Sequence, residues 1–300
     1  MNIWMALFPL VALIAMGYVL KKTQFVKDEF WANSEKLNYF VLFPVLLFLN
    51  VSAVQLDLAT VSRMLTVLIT GILIASGVLW GIKHYTHIPV QRFGVYVQSH
   101  IRFNTYIGLS LMGALFGSQG MQMFAMLIAV AVPLVNIISV LSFSNLSLKQ
   151  LGQTCISIAK NPLILGCVVG VLFNLSGFTL WNGFAELLKI LAAMSLPLGL
   201  LSVGAALQFQ QMRLDLTRLS FNTLGRLIAM PALAYVLSHG LGLTDFERMI
   251  LVVFFALPTA SSSYILTRYY QGDSQLMAAI ISVQTIGFGV TFPILMLLLK

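Results

Sequence analysis

The sequence predicts an all-α polytopic membrane protein: ten transmembrane helices in two inverted five-helix repeats, with helices 4 and 9 broken. Three observations predict it. The 300-residue chain is 59% hydrophobic and only 9% charged, with a mean hydropathy of +0.94, whereas a soluble domain carries about 25% charged residues. Ten apolar stretches follow one another, each near the roughly 20 residues that a helix needs to cross a bilayer core. Landmark prolines and glycines recur at a constant offset of 153 between the two halves.

The ten stretches are 3–20, 36–54, 63–82, 92–116, 121–143, 159–176, 184–207, 217–239, 246–269 and 274–299. The first is a retained span rather than a signal peptide. Lys21 and Lys22 follow its apolar run instead of preceding it, and no small-residue cleavage site is present. The second and sixth are short. The longest polar interval, Lys21 to Lys36, reads as a loop that holds Asp28 and Glu29.

Basic residues orient the spans. The connections after spans 1, 3, 5, 7 and 9, with their flanks, hold Lys21, Lys22, Lys27, Lys36, Lys83, Arg92, Lys149, Lys160, Arg213, Arg218 and Arg268. The other side holds Arg63, Lys189, Arg248 and Lys300. The excess places the odd-numbered connections in the cytoplasm and both termini outside it. This rule accounts for the net charge of +8. The basic residues form no stripe interleaved with aromatics, so no nucleic-acid partner is expected. Cys155 and Cys167 sit in no CxxC or Cys/His cluster, which predicts packing residues without a disulfide frame, metal or cofactor.

Pro9 precedes Gly17 by eight residues, as Pro162 precedes Gly170, and Pro44 and Pro197 each lie thirty-five residues further on. Gly117 after span 4 and Gly272 after span 9 correspond at nearly the same offset. The repeats are then residues 1–146 and 147–300. With five spans each, the second enters the membrane the other way round. Such inverted repeats mark secondary transporters, whose sites lie at the midplane where broken helices meet.

Span 4 carries "HIRFNTYIGLS", residues 100–110, and span 9 carries "ALPTASSSY", residues 256–264. Pro258 removes a backbone donor, and Gly108 permits conformations closed to other residues, so a break is expected near each. Unwound backbone at membrane depth is tolerated where it is buried in protein or lines a cavity. The half-helix starting after a break turns its positive end toward the midplane, which favours an anion. The candidate substrate-binding set is therefore Arg102, Asn104, Thr105, Gly108, Pro258, Thr259, Ser261 and Ser262. Asn104 lies about 18 Å along the helix from Arg92. An arginine as deep as Arg102 is a substrate or gate residue or a partner of backbone carbonyls. His100 is open between function and packing, and Arg226 between function and snorkelling. The serines and threonines also read as ordinary packing between membrane helices. No acid is expected well inside a span, with Asp57, Asp215, Asp245 and Asp273 at span ends. This favours uniport, or coupling through hydroxyl and backbone oxygens or His100.

Four stretches together carry a resemblance: "RFNTYIGLSL" in span 4, "KNPLILGCVVGVLFN" opening the second half, "SLPLGLLSVGAAL" in span 7 and "ALPTASSSYILTRYYQGD" in span 9. The chain resembles the auxin efflux carrier family over essentially its whole length. The resemblance implies ten spans in two inverted repeats, with spans 4 and 9 crossing as broken helices. It also implies elevator-type alternating access, a homodimer, and a small organic anion such as malate or malonate as substrate. Asn104 matches the family's span-4 asparagine and Pro258 its span-9 proline. Ser110 stands where the family often has proline, which leaves the span-4 break to Gly108 and local polar groups. The long hydrophilic loop of plant members is absent, as in short bacterial members of the inner membrane.

Other readings fit less well. A membrane-embedded enzyme needs a nucleophile and base, or metal ligands, within spans; His84 and His87 have ligand spacing but are expected in a loop without acidic partners. A channel does not need paired breaks. A sodium-coupled bile-acid-type symporter shares the architecture, and sodium-dependent uptake would separate it.

Overall fold

In the computed structural model, residues 3–54, 57–143, 152, 156, 159–209 and 216–299 are described, and every regular element among them is helical. Cys155, Lys149, Arg213, Asp215, the terminal Met1 and Lys300, and the boundary between residues 146 and 147 lie outside the described residues. Among the described residues, six helices are long and apolar enough to cross a membrane, spanning 3–22, 28–52, 59–86, 90–143, 182–205 and 274–298, and Pro162–Ser176 is a shorter apolar helix. Large apolar side chains are exposed along them, including Phe8, Leu172 and Val236, as lipid contact allows and water does not. The chain is an integral membrane protein, and it divides into two compact units.

The first unit comprises residues 1–56, 109–130 and 156–206. Helix α1 (Ile3–Lys22) is followed by α2 (Asp28–Leu37), a π turn over Asn38–Leu42 and α3 (Phe43–Ser52). The expected loop at Lys21–Lys36 is therefore half helix. Asp28 and Glu29 occupy the first turn of α2, where their charge complements the helix dipole. The π turn precedes Pro44 at the start of α3; proline offers no N–H to the preceding turn, so the helix widens there. Helices α7 (Pro162–Ser176) and α8 (Asn182–Ala205) complete the set, because α3 packs on α7 and α1 on α8.

These contacts are backbone to backbone. A Cβ added to Gly17 would overlap the carbonyl of Leu201, and one added to Gly204 would overlap that of Ile14. Gly166 packs as closely on the backbone of Pro44, and Gly170 sits against Phe48 and Val51. Small residues permit such approach where no water drives association. Cys167 is buried in α7, its Sγ toward the Ala125 carbonyl, as a packing residue.

The second unit comprises residues 57–108, 131–155 and 207–300. Asp57 caps α4 (Leu58–Thr86), accepting from the amides of Ala59 and Thr60. The helix ends at His87 in the left-handed conformation, with His84 in its last turn rather than in a loop. Helix α5 (Val90–Ile101) stops short, and α6 (Thr105–Phe143) runs on past a corner at Gly117, φ +61°. After α6 come α9 (Leu216–Leu224), a π turn at Gly225–Ala229 before Pro231, and α10 (Met230–Gly240). A capping box of Thr244 and Glu247 starts α11 (Asp245–Ala256). Helix α12 (Ser262–Tyr269) and α13 (Ser274–Leu298) follow. Asp245 lies in the first turn of α11, and Asp273 caps α13, where it also pairs with Arg92.

Candidate functional site

Both breaks lie in the second unit. Pro258 excludes the residue before it from helical geometry, so Leu257 turns extended (φ −60°, ψ 142°) and α11 ends at Ala256. No proline acts on the other side. There Arg102 is extended (φ −79°, ψ 142°), and the gap is held by an exchange of hydrogen bonds. The Asn104 amide, which would close a helical turn on the His100 carbonyl, donates instead to the Pro258 carbonyl at 2.9 Å. The Asn104 side chain then caps α6, accepting from the amides of Tyr106 and Ile107, each at 3.1 Å. The break expected at Gly108 falls four residues earlier, because Gly108 already donates to the Asn104 carbonyl within the helix. Ser110 lies in the same helix, so no proline is needed there.

The Phe103 ring packs on Phe254 with centroids 4.2 Å apart, fixing the first extended segment against the last turn of α11. Arg102 reaches from the first break to the second: Nη1 donates to Asn136 Oδ1 at 2.8 Å, and Nη2 to Ser262 Oγ at 3.1 Å. Ser262 opens α12, and Thr105 opens α6. Two positive helix ends, each about half a charge, thus start beside an arginine. Direct bonds thus join Asn104 to Pro258 and Arg102 to Ser262. Thr105 and Ser261 are half-buried at the helix starts, and Gly108 is one turn inside α6.

Thr259 turns the other way, into a buried polar network. Its amide donates to Gln284 Oε1 at 2.9 Å, and its hydroxyl lies 2.6 Å from that oxygen and 2.8 Å from the Ser99 carbonyl. Gln284 Nε2 donates to Asn222 Oδ1 at 2.9 Å, and Asn222 Nδ2 to Ser99 Oγ at 2.8 Å. Gln98 Nε2 donates to Thr267 Oγ1 at 2.9 Å, tying α5 to α12. Asn136, Gln98, Asn222 and Gln284 are absent from the sequence-derived set. Their signal was present, since each is an amide inside an apolar run, where polar groups are costly unless satisfied. Arg226 does not snorkel: it is 1% exposed and donates to the carbonyls of His100 and Leu257.

A sequence profile described as membrane transport protein matches residues 144–296, half of the chain. The chain belongs to this family, that of the auxin efflux carriers. An uncharacterized transporter of Methanothermobacter thermautotrophicus is 24% identical over 291 residues, covering 95% of this chain and 94% of that protein. For this membrane transporter the crossover of α5–α6 with α11–α12 is the candidate transport site, since it is where unwound backbone, helix amino ends and a cation meet.

Proposed function

We propose that the protein is a secondary carrier of small organic anions, carboxylates such as malate or malonate among them. Its ten spans form two inverted five-helix repeats, and elevator-type alternating access moves the crossover with the unit that holds it. The observation that carries this reading is Arg102, held between Asn136 and Ser262 beside the amino ends of α6 and α12. A carboxylate there meets one full positive charge and two partial ones. The repeat is supported by reciprocal packing, for α1 lies on α8 as α7 lies on α3, which is the pairing that exchanging the halves produces. The carrier works as a homodimer in the bacterial inner membrane. The distribution of lysine and arginine puts both termini outside the cytoplasm.

The test is uptake of radiolabelled malate and malonate into proteoliposomes by wild type and Arg102→Gln. Saturable uptake that the variant loses by roughly tenfold or more is expected. Equal uptake by both proteins excludes Arg102 as the anion's partner, and uptake abolished by replacing sodium moves the protein to the sodium-coupled reading.

A further inference from the structure

Arg226 stands in the π turn between α9 and α10, buried among the described residues. No carboxylate among them pairs with it. Its partners are two backbone carbonyls: Nε donates to Leu257 O at 2.7 Å, and Nη1 donates to His100 O. These two oxygens are among those the breaks release; the Ser99 carbonyl, also freed, is taken by Thr259 and Gln284. His100 O loses its helical donor because the Asn104 amide has gone to Pro258. Leu257 O belongs to the residue that caps α11, beyond which the chain is unwound.

The charges match as well. The carboxyl end of a helix carries about half a negative charge, so the ends of α5 and α11 together present about one. A single guanidinium neutralises them, and its fork reaches both with directional bonds. Gly225 makes room for this approach, because a Cβ there would come within 2.6 Å of His100 Nε2. The π turn sets Arg226 at this register, about one helical turn before α10 begins at Met230 and Pro231.

We infer that Arg226 is a positioning residue, the resident cation of the crossover, which holds the carboxyl ends of α5 and α11 so that no alkali ion is needed between them. Arg102 serves the amino ends of the second half-helices, and Arg226 serves the carboxyl ends of the first. The inference is independent of which substrate is carried.

Hydrogen exchange on the purified full-length protein in detergent tests it, read at residues 98–108 and 254–262. Wild-type exchange should be unchanged when sodium is replaced by N-methylglucamine at constant ionic strength. Arg226→Met should exchange about tenfold faster or more in both segments. Leu227→Ala, a truncation of a buried apolar neighbour, should leave them protected relative to the rest of the protein. Arg226→Lys keeps the charge without the fork and should lose protection in one segment more than the other. It carries the test if the methionine variant does not fold. Wild-type protection that collapses without sodium would overturn the inference. So would full protection in Arg226→Met, or an Arg226→Lys indistinguishable from wild type.

Discussion

The two units hold together by opposite means. In the first, helices meet backbone to backbone over Gly17, Gly166, Gly170 and Gly204, with side-chain bonds joining Asn38 to Ser195 and Asn174 to the carbonyls of Ser52 and Val54. In the second, the core carries Arg226, Gln98, Ser99, Asn222, Thr259 and Gln284, all buried and joined across five helical segments. Each has a π turn before a proline, but the first places an amide on a neighbouring carbonyl and the second places a guanidinium on two freed helix ends. Close packing of small residues tolerates no added volume, whereas a polar core tolerates no lost partner. Continuous helices need only the former. Broken helices at membrane depth expose backbone that must be satisfied, so the unit with the breaks carries the network.

The sharpest way to break the contrast is in the first unit. Gly204→Leu should cost more than about 3 kcal/mol, since the overlap is with the backbone of α1 and cannot be relieved by a rotamer. Size-exclusion chromatography of a fluorescent fusion should show loss of the monodisperse peak. A normal peak would mean that α1 and α8 are not tightly docked.

In the second unit volume should matter less than partners. Gln284→Leu conserves bulk but strands the Thr259 amide and Asn222, at a cost of about 3 kcal/mol. A thermal-unfolding midpoint within a degree of wild type would show that the network is dispensable.

Asn104→Ala should cost about 1 kcal/mol through loss of the α6 cap while the protein stays folded in the membrane. Transport should fall much further than stability, by roughly tenfold or more, because the cap sets where α6 begins. Unchanged uptake in proteoliposomes would reduce Asn104 to packing.

The smallest effect lies at the exposed end of α4. The hydroxyl of Thr60, then the amide of Ala59, hold the Asp57 carboxyl below the usual carboxylate range. A depressed folded value stabilises the protein above the unfolded value of about 3.9 and ceases to do so as pH falls through the folded one. The small difference in unfolding midpoint between wild type and Asp57→Asn should thus be present at pH 7 and vanish as pH falls through the depressed folded value. A difference that persists in acid would assign it to something other than the charge.

Hydropathy alone located the six long apolar helices among the described residues, because apolar runs of bilayer length have few other uses. It also marked the neighbourhoods of both breaks, through Pro258 and the polar cluster at residues 100–106. The first break was displaced to Gly108 in that reading, since a glycine is visible in one dimension and a hydrogen bond exchanged with a segment 154 residues away is not. The polar stretch before residue 37 was read as loop because its charges mask the turns of α2 that they cap.

What the sequence by itself determined is the class of solvent each segment faces and where regular helix is hard to continue; both follow from local chemistry. Only the tertiary structure decided what takes up the groups that the breaks release. As a string of letters Arg226 was open between snorkelling and function, and its choice depends on two carbonyls brought from α5 and α11 to one guanidinium. Gln284, Asn222 and Ser99 likewise acquire their meaning from one another. Buried polar groups are settled by their partners, and partners come from distant points of the chain, so no window of sequence contains the answer.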